Sequence, residues 1–349
     1  MEISKIDKNF AFEPTVTRDG LTYFDVLTTS EFSLHGVFHD GTKFRRMPED
    51  VARRVSDSVY ALHSNTAGGR IRFITNSPYV AIRAEVENCC RMSHFTLVGS
   101  AGFDLYAGIR YAGTFVPPYG VDGSYENVVD HGLEGNQVFT VNMPLYSDVK
   151  RLYIGLKEGC ILKNAPEYCL DKPIVYYGSS ITQGGCASRP GNAYQAIVTQ
   201  LLNVDHVNLG FSGSALAEDD MIKYLSTLDA SLFVCDYDHN SPNTNHLKST
   251  HKKLYKALRE AHPHMPILFL TRPKYHLNDE EKERLDVVRS TYEGALSEGD
   301  NNVYFIAGTD LLSNEARESG LVDNCHPNDC GFVSMGYKVA SLIKDIFKL

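Results

Sequence analysis

The chain has 349 residues, with 34 basic and 43 acidic side chains and a formal charge of -9. That length and an ordinary apolar fraction of 43% exclude a small disulfide-stapled module and a disordered or fibrous chain. The acidic balance gives no reason to expect a nucleic-acid or anionic-membrane partner, and the absence of tryptophan leaves Tyr and Phe as the stacking platforms for a sugar ring.

The opening segment, MEISKIDKNFAFEP, carries no long apolar run and reads as lacking a secretory leader. No later stretch reaches the roughly 20 apolar residues of a membrane span. The eight cysteines (Cys89, Cys90, Cys160, Cys169, Cys186, Cys235, Cys325 and Cys330) show no zinc-knuckle or thioredoxin-like spacing. They read as mostly reduced residues of a cytoplasmic protein.

Residues 70–77, 79–87, 94–99, 137–145 and 149–157 read as short strands separated by turn signals such as TAGG, NSP and EGN. Between them only 50–64 suggests a helical turn or two. Strands without alternating helices predict an antiparallel, jelly-roll-like β-sandwich over residues 1–168.

From residue 169 to 349 the grammar changes, with the boundary expected inside NAPEYCLDKP. Apolar strands at 173–178, 206–210, 231–237, 266–271 and 302–307 alternate with helices at 192–202, 217–228, 243–261, 279–295 and 331–347. This alternation predicts an α/β domain of flavodoxin-like type with a five-stranded parallel sheet covered on both faces. Ligands in such sheets sit at the carboxyl ends of the strands.

Polar clusters fall at those ends. Gly178-Ser179-Ser180 follows the first strand, where a small residue permits a sharp turn and an exposed hydroxyl. Asn208-Leu209-Gly210-Phe211-Ser212-Gly213 follows the second, and Asp236-Tyr237-Asp238-His239-Asn240 the third. Glycine amides and an asparagine amide are neutral donors that suit an oxyanion. Asp323-Asn324-Cys325-His326 precedes the last helix, and a carboxylate three residues before a histidine can orient its ring as a base. Taken singly, each cluster reads as well as a helix cap, a turn or a surface histidine.

Together and in this order the four clusters resemble the SGNH hydrolases, or GDSL-type esterases. The resemblance implies Ser180 as nucleophile, His326 as general base and Asp323 as its orienting carboxylate. It implies an oxyanion hole from the Ser180 amide, the Gly213 amide and the Asn240 side chain. Two departures are plain: Ser179 replaces the usual aspartate before the serine, and Asp238 replaces a glycine before Asn240. In the front half, Gly102-Phe103-Asp104-Leu105-Tyr106 is similar to the GxDLY signature of a β-rich domain that precedes SGNH domains.

The function implied is removal of acetyl or other short acyl groups from hydroxyls of oligosaccharides. A lysophospholipase or lipid-type esterase and an O-acyltransferase would use the same triad. A non-catalytic carbohydrate-binding protein would not need it. Arg189, Arg272 and Asp104 are candidate substrate contacts; a salt link between the halves is the alternative for the arginines, and anchoring a turn for Asp104. Cys186 is a rival thiol without a base nearby in sequence. No HExxH or clustered ligand spacing calls for a metal, and no cofactor or nucleic-acid or membrane partner is implied. Homo-oligomerisation is left open.

Overall fold

In a computed structural model of the chain, residues 3–7, 11 and 15–349 are described. Residues 1–2, 8–10 and 12–14 of the opening segment lie outside them.

Alternating apolar residues build the front half. In Tyr79–Glu87, Val80, Ile82, Ala84 and Val86 all point into one core. Their sheet has the strand order Leu21–Asp25, Asp148–Lys157, Tyr79–Glu87, Gly123–Asp130, all antiparallel. A second antiparallel sheet runs Leu162–Lys163, Arg70–Thr75, Gln137–Asn142, Phe103–Ala107, Arg110–Phe115, with Ser33–His35 also paired to Arg70–Thr75. It contributes Ile71, Phe73, Phe103, Leu105, Phe139 and Val141 to the same core, so the two faces interdigitate as a sandwich.

Two expectations need correction. The strand expected at 94–99 is a loop that enters a short helix, Leu97–Ala101. Thr96 starts the helix by accepting from the Gly99 amide at 3.0 Å. Tight packing decides the matter: a Cβ on Gly99 would stand 2.1 Å from the Ala187 carbonyl oxygen of the back half. The strands Phe103–Ala107, Arg110–Phe115 and Gly123–Asp130 were absent from the strand reading. Arg110–Phe115 is mostly exposed or half-buried and contains a glycine at φ 158°, which blurs the period-two signal. Residues 50–64 form two short helices, Glu49–Val55 and Asp57–Leu62. Their Ala52 and Val59 pack into the core of the back half, with Met221, Ile222 and Leu225.

The back half has five parallel strands in the order His206–Gly210, Ile174–Gly178, Leu232–Asp236, Ile267–Leu270, Val303–Ile306. The chain therefore lays its second strand beside the first, then reverses to add the third, fourth and fifth. That is the flavodoxin-like order, whose crevice lies at the reversal between the first and third strands. Helices Tyr194–Leu202 and Asp329–Phe347 cover one face, through Ile197, Val198, Met335 and Val339. Helices Asp219–Leu225, Thr244–Ala261 and Asp279–Ser297 cover the other, through Leu225, Leu254, Leu258 and Val288. No helix among the described residues is long and apolar enough to cross a membrane.

A buried polar seam joins the halves. Asp104, a candidate for a substrate contact or for anchoring a turn, is fully buried. Its carboxylate accepts from Asn142 Nδ2 at 2.7 Å, the Gly191 amide at 2.8 Å and Arg189 at 3.0 Å. Arg189, for which a salt link between the halves was the alternative to a substrate contact, makes that link with Asp104, donates to the Tyr106 hydroxyl at 2.5 Å and lies 4.1 Å from the centre of the Tyr111 ring. The aspartate and tyrosine of the GxDLY stretch thus hold the loop that follows Ser180. Burial still raises the Asp104 pKa, because it outweighs the Arg189 charge and the donated bonds.

Candidate active site

The first strand ends at Gly178 because the third strand passes too close for a side chain. A Cβ there would stand 2.1 Å from the Asp236 carbonyl oxygen. Ser179 then caps a four-residue helix, Ser180–Gln183, its hydroxyl accepting from the Ile181 amide at 3.1 Å. Capping spends Ser179 locally. Ser180 becomes the first helical residue, and a first-turn amide has no acceptor within its own helix.

The Ser180 hydroxyl lies 2.8 Å from His326 Nε2. On the other side of the ring, His326 Nδ1 lies 2.8 Å from Asp323 Oδ2. A carboxylate beside Nδ1 holds the proton there and leaves Nε2 as the acceptor for the hydroxyl. The loop is shaped for this. Asn324 adopts φ 63°, a left-handed conformation asparagine tolerates well. Asp323 Oδ1 accepts from the amides of Cys325 at 3.1 Å and His326 at 2.7 Å. Partial burial pushes the Asp323 carboxyl up, but these amides and the imidazole outweigh it and hold the pKa below the usual carboxylate value. Arg272, a candidate for a substrate contact or a salt link, donates to the Asn324 carbonyl at 2.9 Å and to Glu281 at 2.7 Å. It braces the histidine loop.

Gly213 adopts φ 65° with open space where a Cβ would project. The Asn240 side chain donates to the Phe211 carbonyl at 3.2 Å, which ties the third-strand loop to the second-strand loop. Asp238 stands where the family pattern has glycine, and it is buried. It lies 3.1 Å from His239 Nδ1 and accepts from the Arg272 amide at 3.3 Å. Arg284 donates to the carbonyls of Asp238 and Ser241 at 2.6 and 2.7 Å, fixing both sides of Asn240.

Three further residues escaped the sequence reading. Gln183 is buried; it accepts from the Ser212 amide at 3.0 Å and donates to Asn65 at 3.1 Å and the Leu145 carbonyl at 3.2 Å. It joins the serine helix to the Gly213 loop and to the front half; only its place in the Ser180-Ile181-Thr182-Gln183 run marked it. Tyr146, also from the front half, donates to the Ser180 carbonyl at 3.3 Å. His94 Nε2 lies 3.5 Å from Asp323 Oδ2, and nothing in its local sequence announced that. Cys186, treated above as lacking a base, has the ring nitrogens of both His94 and His326 within 4.8 Å of its sulfur. Burial and the Asp323 charge push its thiol up to about 12, so it is a poor nucleophile.

Beneath the serine helix, Asp236 is buried and accepts from the Thr182 hydroxyl at 3.1 Å. Burial pushes its pKa up to about 6, with Asp238 adding to the rise and His239 opposing it. The folded state therefore holds this proton more tightly than the unfolded chain does. Stability from this group is full below about pH 4 and is lost as the pH rises through about 6, a penalty of roughly 3 kcal/mol at neutral pH. Asp236→Asn is expected to flatten the melting temperature between pH 4 and 7.5 relative to the parent. A parallel pair of melting curves would show that Asp236 carries no such penalty.

A groove of about 740 Å³ lies along the last helix at Asp310, Ser313, Val333 and Tyr337 and includes none of Ser180, Asp323 or His326. Geometry, not cavity size, singles out the serine site.

Two family models match the chain. The GDSL-like lipase/acylhydrolase family matches residues 171–344, and the N-terminus of SGNH-hydrolase-type esterases matches 21–162. No curated protein matches. A crystal structure described as a GDSL-like lipase from Bacteroides ovatus is 29% identical, with a TM-score of 0.82 over 94% of this chain and 98% of its own. A salicylyl-acyltransferase from a tetracycline biosynthetic pathway is 19% identical, with a TM-score of 0.76 over 95% and 99%. An acetyl xylan esterase from the rumen bacterium Butyrivibrio proteoclasticus is 12% identical, with a TM-score of 0.63 over 94% and 99%. These last two are similar in fold.

Proposed function

The chain belongs to the GDSL-like lipase/acylhydrolase family, and from that premise we infer that it is a serine esterase which removes acetyl or other short acyl groups from hydroxyls of oligosaccharides. The observation that carries the reading is the unbroken chain from the Ser180 hydroxyl through His326 to Asp323, with 2.8 Å at each link.

In the proposed reaction His326 Nε2 takes the Ser180 proton as the oxygen attacks the acyl carbon. Asp323 stabilises the imidazolium that forms. The Ser180 and Gly213 amides and the Asn240 side chain donate to the tetrahedral oxyanion. The intermediate collapses, the C–O bond to the sugar breaks, and His326 returns the proton to the leaving alkoxide. Water then attacks the acyl-enzyme, giving its proton to His326. The carboxylic acid leaves and the serine is restored.

The carbohydrate half of the reading draws support from the fold shared with an acetyl xylan esterase. An acyltransferase of the same fold differs in its acceptor. Adding glycerol or a free sugar to the assay separates the two, since transfer yields an acylated acceptor in place of free acid. We also assign the protein to the reducing interior of a cell, because all eight cysteines are unpaired.

Initial rates on p-nitrophenyl acetate, butyrate and octanoate test the acyl preference. Acetate is expected to exceed octanoate by more than about tenfold in kcat/KM, about 1.4 kcal/mol in transition-state binding. A preference for octanoate would move the reading to lipid esters. Release of acetate from acetylated xylo-oligosaccharides then tests the alcohol.

A further inference from the structure

The proposed reaction uses His326 and leaves its neighbours Cys186 and His94 without a task. Cys186 is buried and adopts φ 76°, a left-handed conformation that is strained for a residue with a side chain and free for glycine. Gly184 and Gly185 directly precede it, so glycine is locally available to this loop. The chain nonetheless keeps a thiol there, aimed at two imidazoles.

One ligand atom from each of His94, Cys186 and His326 lies within 4.8 Å of the other two. The three come from separate parts of the fold. His94 lies in the loop before the helix Leu97–Ala101, Cys186 follows the serine helix, and His326 precedes the last helix. Asp323 adds negative charge, its Oδ2 lying 3.5 Å from His94 Nε2. Two imidazoles and a thiolate form a mixed donor set that suits Zn2+, with a fourth position left for water or the carboxylate. Bond lengths of about 2.0 Å to nitrogen and 2.3 Å to sulfur put tetrahedral ligands roughly 3.5 Å apart. Closing to that spacing needs a shift of about 1 Å, and His94 sits partly exposed on a loop.

We propose that His94, Cys186 and His326 bind Zn2+ and that binding switches the esterase off by taking the imidazole that Ser180 needs. The switch rests on the reading of His326 as general base; the metal site does not. On binding, the Cys186 S–H bond breaks, a Zn–S bond forms and the proton passes to buffer. No electron moves, so a chelator reverses the step.

Co2+ is the spectroscopic probe, added to the full chain kept reduced with a phosphine. A thiolate-to-cobalt charge-transfer band and visible bands of tetrahedral intensity are expected, both removed by Zn2+. Cys186→Gly deletes the thiol while suiting the left-handed backbone, and is expected to keep the basal esterase rate. It should lose the charge-transfer band and need more than about tenfold more Zn2+ for half-inhibition. Co2+ spectra without a thiolate band, or equal Zn2+ sensitivity in Cys186→Gly, would overturn the site. If the parent binds Co2+ through the thiolate but hydrolyses no ester, the metal site stands and the esterase reading falls.

Discussion

Ser180→Ala is expected to lower kcat on p-nitrophenyl acetate by roughly 10³- to 10⁶-fold while the protein stays folded. The size follows from what the hydroxyl does. It is the atom that becomes acylated, and no neighbouring group replaces it. Ser179 is occupied as a helix cap, 3.1 Å from the Ile181 amide. The Cys186 thiol is held protonated by burial. Asp323→Asn should cost less, about 10²- to 10⁴-fold, because the serine and the oxyanion donors survive while the imidazole loses the partner that fixes its tautomer. Ser179→Ala serves as the control. It loses a cap worth about 1 kcal/mol and should retain most of the rate. Initial rates together with circular dichroism check all three. A folded Ser180→Ala protein with parental activity would transfer the nucleophile to Ser179 or Cys186.

How much of this was legible depends on whether a feature is local in the chain. The parallel sheet was readable because each strand is a short apolar run, too short for a helix and apolar on both faces, followed by a segment of helical period. Ser180 was readable because strand, glycine and helix meet within a few residues. Asp323 and His326 lie one turn apart, so their pairing could be reasoned from spacing. His94, Tyr146 and Gln183 were not legible in this way. Their partners lie in other parts of the chain, and only packing of the sandwich against the parallel sheet brings them to the serine. The strand misread at 94–99 has the same cause. Its β-rich composition yields to a helix wedged against the Ala187 carbonyl, a contact that no local pattern encodes.

Asp104 and Arg189 show the limit from the other side. Their residue types announced an interaction and left its partner open between substrate and the rest of the fold. The answer predicts the larger stability effect. Arg189→Met keeps most of the side chain's volume and its packing on Tyr106 and Tyr111, and removes only the charge and its bonds. It strands a carboxylate that is fully buried, with Asn142 and the Gly191 amide left to it among the described residues. Breaking a buried pair from one side costs about 3–5 kcal/mol, and the partial exposure of Arg189 places the expected loss near 3 kcal/mol. Thermal unfolding should report it as a fall of several degrees. The pH dependence distinguishes this from a simple packing defect. Asp104 already has a raised pKa through burial, and Arg189 opposes the rise. Without the arginine the folded-state pKa climbs further above that of the unfolded chain. The folded protein then binds the proton more tightly, so stability is lost as the pH rises through the folded value and regained as it falls. The deficit of Arg189→Met should therefore be large at pH 8 and shrink toward pH 4.5. Adding Asp104→Asn should recover part of it at pH 8, because a neutral amide needs no counter-charge. A deficit that is the same at both pH values, or that Asp104→Asn worsens, would mean that the arginine serves the seam by packing alone and that the buried charge pair does not lock the two halves.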